Sequence, residues 1–74
     1  MSDITTAVAG DLLTKRELEA LNLLKEGYPQ KIVGRMMGLS NQSVKNYATI
    51  ILIKLDAPNM VNAVYKATVR GMLT

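Results

Sequence analysis

The chain has 74 residues, 49% of them apolar and 4% aromatic, and its formal net charge is +3. A chain of this size buries only about 60% of the surface its unfolded form exposes, so an enzyme cleft and a full core do not fit together easily. With no cysteine, no histidine and six scattered Asp and Glu residues, disulfides, thiolate metal sites, the commonest general base and the calcium-loop pattern are all excluded. The expectation is a single small domain with an aliphatic core, no metal, no cofactor and no enzymatic activity.

Charge is divided unevenly. Residues 1–26 set Lys15, Arg16 and Lys25 against Asp3, Asp11, Glu17, Glu19 and Glu26, a net −2. Residues 27–74 set Lys31, Arg35, Lys45, Lys54, Lys66 and Arg70 against Asp56 alone, a net +5. That later stretch suits a polyanionic partner, or is simply a solvated basic face. No apolar run approaches the roughly 18 residues of a membrane helix, and "MSDITTAVAGD" has neither the basic start nor the apolar segment of a signal peptide. The chain is therefore expected in the cytoplasm, away from membranes.

In chain order, residues 1–11 lack periodicity and are expected to form a flexible tail ahead of a domain over 12–74. In "LLTKRELEALNLLKEG", Thr14 is a good N-cap and Glu17, three residues on, completes a capping box. Leu18, Leu21 and Leu24 then share one face, and Gly27 is a natural stop. A first helix is expected over about 15–26. "YPQKIVGRMMG" gives a second over about 30–37, with Pro29 suited to a first helical position, Val33, Met36 and Met37 facing inward, and Gly38 ending it. Ser40 caps a third helix over about 41–55, which "DAPN" breaks, since the residue before a proline avoids the helical conformation. Asn59 caps a fourth over about 60–70, near Gly71. No strand pattern, repeat or low-complexity tract appears, so the fold class is all-α.

The junction of helices two and three has the requirements of a steep crossing. Gly34 is small where the next helix passes, Gly38 tolerates a left-handed backbone, and Val44 points back, with Val33, Met37 and Leu39 filling the corner. That spacing is the pattern of a DNA-binding helix-turn-helix. At about 100° per residue, Val44, Tyr47, Ala48, Ile51 and Leu55 converge on a core side of helix three. Gln42, Asn46 and Thr49 lie opposite, with Lys45 on the flank. Polar side chains there suit base edges, because Asn and Gln can bond adenine at two atoms; the alternative is an ordinary solvated face.

Over about Leu13 to Leu73 the chain resembles the LuxR/GerE-type four-helix DNA-binding domain. "LTKRELEALNLL", "LSNQSVKNY", "KLDAPN" and "AVYKA" carry the resemblance in the right order. At 74 residues it is most similar to the GerE subgroup, which lacks the receiver or ligand-binding domain of larger relatives. The resemblance implies a compact four-helix domain in which Lys45, Asn46 and Thr49 face base edges in the major groove. It further implies that Gln30, Lys31, Ser40, Gln42 and Ser43 meet phosphates, and that the fourth helix pairs two copies.

Departures from the family pattern matter as well. Ile50 and Ile53 stand where polar or basic residues are usual, Met60 where arginine is typical, Ile32 where glutamate is common, and Tyr47 where histidine is frequent. The Ile32 and Met60 changes would trade an ionic contact for an apolar one. Ile50 and Ile53 thin the positive charge available to phosphates and offer a patch that is either merely tolerated or binds a protein partner. On the fourth helix, Met60, Ala63, Val64 and Ala67 form an inward stripe, whereas Val61, Tyr65, Thr68 and Met72 form a second one suited to self-association.

The resulting expectation is a transcriptional regulator that binds double-stranded DNA as a homodimer at a palindromic promoter site and recruits or blocks RNA polymerase. The rival is a protein-interaction module of the same fold that antagonises another LuxR-type regulator by forming mixed dimers.

Overall fold

The computed structural model describes residues 13–73; the expected tail over 1–11, like residues 12 and 74, lies outside them. Four helices follow one another: α1 (Lys15–Lys25), α2 (Gln30–Met37), α3 (Asn41–Leu55) and α4 (Met60–Val69). No strand occurs among the described residues. The order and type of the elements are those expected, with α1 and α4 each ending one residue earlier.

Local chemistry sets most of the boundaries. The Thr14 hydroxyl accepts from the Glu17 amide at 3.1 Å and Glu17 Oε1 accepts from the Thr14 amide at 2.8 Å, which completes the capping box. Glu26 is the C-cap of α1. Pro29 is the N-cap of α2 rather than its first residue; its ψ of 154° is extended, and its carbonyl accepts from the Ile32 and Val33 amides. Ser40 and Asn59 cap α3 and α4 through side-chain oxygens that accept from Ser43 and Asn62. The end of α3 differs in cause from the expectation. Asp56, two residues before Pro58, takes a left-handed φ of 53°, and the Ala57 amide closes back on the Leu52 carbonyl at 2.9 Å. This is a Schellman-type stop in which Asp56 replaces the usual glycine.

α3 is the central element. It packs on α1, α2 and α4, while α2 and α4 do not pack on each other. The core is aliphatic, as composition demanded: Leu13, Ala20, Leu21, Val33, Met37, Val44, Ile51, Leu55, Ala63, Ala67 and Leu73 are buried. Met36, expected inside, is 51% exposed. The buried side of α2 is Val33, Gly34 and Met37, because α3 crosses over the bare backbone of Gly34 and draws that face away from Met36. Tyr47 and Ala48 flank the core side of α3 and are only half-buried. Met60 packs on the core, and Ile32 is half-buried.

Candidate nucleic-acid interface

The corner between α2 and α3 is closed by backbone. A β-carbon on Gly34 would lie 2.7 Å from the Leu39 carbonyl oxygen and 3.3 Å from Val44 Cγ2. The Leu39 amide in turn donates to the Gly34 carbonyl at 2.7 Å. Gly38 turns the chain with a φ of 71°, a conformation that costs a β-carbon-bearing residue about 1–2 kcal/mol. Val44 is buried against this corner. The three positions that suggested a helix-turn-helix thus serve the roles their side chains allow.

Three cations tie the helices together within the domain, one at this corner and two at the far end of α3. Arg16 on α1 donates through Nη2 to the Met37 carbonyl at 2.8 Å, at the negative end of α2, and pairs with Glu19 at 3.0 Å. Lys66 on α4 donates to the Asp56 carbonyl, at the same kind of end of α3. Lys54 on α3 meets Glu17 Oε1 at 2.9 Å, the same oxygen that accepts from the Thr14 amide. Glu17 is 6% exposed. Burial pushes its pKa up, but the hydrogen bonds from Lys54 and Thr14 and the Lys54 charge outweigh that, leaving it below the ordinary glutamate value. None of these three contacts was visible in local patterning. Their partners are remote in sequence, and Lys54 and Lys66 had counted towards the free cationic surface. Lys31, Arg35, Lys45 and Arg70 remain, making no ion pair with a described residue.

On the outward side of α3, Lys45, Asn46 and Thr49 are exposed. Gln42 donates through Nε2 to Asn46 Oδ1 at 3.1 Å, so these amides form an i,i+4 pair on one helix face. Gln30, Lys31, Ser40 and Gln42 are exposed, and Ser43 is half-buried. The Ser40 hydroxyl donates to the Ser43 hydroxyl at 3.1 Å. Ile50 and Ile53 continue the same side at 40% and 72% exposure. Ile51, between them, is fully buried and fixes the rotation of the helix.

α4 presents its second face outward. Val61 is 82% and Tyr65 65% exposed, and the exposed Thr68 gives its hydroxyl to the Val64 carbonyl at 2.8 Å. Met72 is half-buried and packs on the core instead. Val69, absent from the expected stripe, is 66% exposed and completes it; its spacing of four from Tyr65 was the available signal. Beside this face, Leu24, Lys25, Met60, Val61 and Val64 line an apolar groove of about 310 Å³. Among the described residues no cluster of three carboxylates could hold a metal ion. No helix among them is long and apolar enough to cross a membrane.

A capped helix with a polar outward face, set by a glycine corner against a second short helix, is the arrangement that enters a major groove. Residues 11–67 match the family model described as "Bacterial regulatory proteins, luxR family". The chain belongs to the luxR family. Among its relatives, the transcriptional regulatory protein DegU of Brevibacillus brevis is 33% identical over 81% of this chain and 25% of its own length. The transcriptional regulatory protein LiaR of Bacillus subtilis is 40% identical over 77% of this chain and 27% of its own length. The transcriptional activator protein SolR of Ralstonia solanacearum is 36% identical over 84% of this chain and 26% of its own length. The chain thus spans about a quarter of the length of these relatives. No solved structure matches it. The matched segment is the DNA-binding domain of a transcription-regulator family, not of an enzyme family.

Proposed function

We propose that this luxR-family domain binds promoter DNA in the cytoplasm as a homodimer, at a palindromic site, and so recruits or blocks RNA polymerase. The carrying observation is the outward exposure of Lys45, Asn46 and Thr49 on a helix whose opposite side is anchored by buried Val44, Ile51 and Leu55. These three read base edges. Gln30, Lys31, Ser40, Gln42 and Ser43, near the starts of α2 and α3, meet phosphates, where helix N-termini favour negative charge. Val61, Tyr65 and Thr68 of α4, with Val69 and the edge of Met72, pair two copies and set their reading helices about one DNA turn apart.

The test is selection of bound duplexes from a random pool at physiological salt. A half-site repeated about ten base pairs apart supports both the DNA reading and the dimer. Lys45→Ala is expected to weaken the selected site by about 1–3 kcal/mol and relax preference at one position. Equal loss on every sequence would make Lys45 a phosphate contact.

A second reading has one observation in its favour, the 72% exposure of Ile53 on the reading helix. In that reading the domain antagonises another luxR-family regulator through mixed dimers. It requires that no duplex be enriched and that Ile53→Lys abolish capture of such a partner.

A further inference from the structure

We propose that Ile50 reads a thymine C5-methyl group, adding an apolar contact beside the polar one made by Asn46; the inference rests on the DNA reading above and names a determinant of its sequence preference. Ile50 lies four residues after Asn46, about 40° further round α3 and about 6 Å further along its axis. Base pairs are stacked about 3.4 Å apart, so Ile50 falls one or two steps beyond the pair that Asn46 meets. It cannot turn inward, because the next residue, Ile51, is fully buried and Ile50 itself stays 40% exposed beside exposed Asn46 and Thr49.

A lysine or asparagine at this place would gain from a phosphate or a polar base edge. An isoleucine gains only by covering apolar surface. Of the groups that the four base pairs display in the major groove, the thymine methyl is the apolar one. Charge on the same helix points the same way: the next cation along α3, Lys54, is turned in to Glu17 at 2.9 Å. Beyond Thr49 the outward side of α3 is therefore apolar, and it continues directly from the polar reading residues. A thymine-bearing base edge matches both halves of that face.

The experiment takes the selected duplex and replaces each thymine of the half-site in turn with deoxyuridine, which removes the methyl and leaves the hydrogen-bonding edge intact. The wild-type protein is expected to lose about fourfold in affinity per half-site at one position, the value of burying one methyl-sized group, and Ile50→Ala to bind both duplexes equally. Ile50→Val, which keeps a branched apolar side chain, should retain part of the discrimination, and matching thermal unfolding of the variants shows that the fold is unchanged. Equal binding of thymine and uracil duplexes by the wild type overturns the proposal, as does discrimination that survives in Ile50→Ala and is lost in Thr49→Ser or Ile53→Ala. Absence of any enriched duplex removes the DNA reading itself, whereas an enriched site without methyl discrimination removes only the role of Ile50.

Discussion

Replacing Gly34 with alanine sets two effects of opposite sign against each other. Alanine in a helix interior is favoured over glycine by about 1 kcal/mol. Its β-carbon, however, would stand 2.7 Å from the Leu39 carbonyl oxygen, and Leu39 is also tied to Gly34 by a backbone hydrogen bond. Backbone must shift where a flexible side-chain end would give way, and overpacking of this kind costs about 1–3 kcal/mol. Gly34→Ala is therefore expected to destabilise the domain by up to about 2 kcal/mol net, seen as a lower urea midpoint with an unchanged m-value. An unchanged or higher midpoint would show that the corner relaxes freely. The sequence pointed to this glycine because three residues in register had to satisfy one crossing. It could not point to Met36, whose apolar side chain fits a buried face by composition alone; its 51% exposure follows from which way α3 crosses α2.

Elements were the most legible level, since their ends are written in local chemistry. The Thr14–Glu17 box, Ser40, Gly38 and Asn59 each act within four residues of themselves, which is the range over which a sequence can be read directly. Arg16 to Met37, Lys66 to Asp56 and Lys54 to Glu17 span 21, 10 and 37 residues, and nothing local announces them. The outward side of α4 lies between these cases. Val61 and Tyr65 follow from helical periodicity, and Val69 extends the row, but which partner covers it is not written in one chain. In the proposed dimer, Val61→Lys with Tyr65→Lys places like charges opposite each other across a two-fold axis. Both positions are solvent-exposed, so the cost to monomer stability should stay within about 0.5 kcal/mol each. Sedimentation equilibrium is expected to show a monomer that still binds an isolated half-site but loses its preference for the palindrome. A double variant that sediments as a dimer would place the pairing surface elsewhere.

Across the whole molecule, the contact between Glu17 and Lys54 joins the start of α1 to the far end of α3, the helix that carries the reading residues. It brings charges together where Glu17 is almost covered, and breaking one side of such a pair costs more than an exposed ion pair contributes. Because the Glu17 pKa is lowered in the folded chain, the unfolded chain binds its proton more readily. Stability from this group is fully present above the ordinary glutamate value and is lost as pH falls through the lowered one. The expected result is a domain of constant stability near neutral pH whose thermal midpoint declines on acidification. Glu17→Gln keeps an oxygen for the Thr14 amide but carries no charge for Lys54, and it should cost about 1–2 kcal/mol at neutral pH. The same variant should flatten the acid limb, since the titrating group is gone. Thermal unfolding of both proteins across the acidic range measures the difference directly. If the wild type and Glu17→Gln lose stability in parallel as pH falls, the acid response belongs to other carboxylates, and the Lys54 contact is too weakly formed in solution to hold α3 against α1.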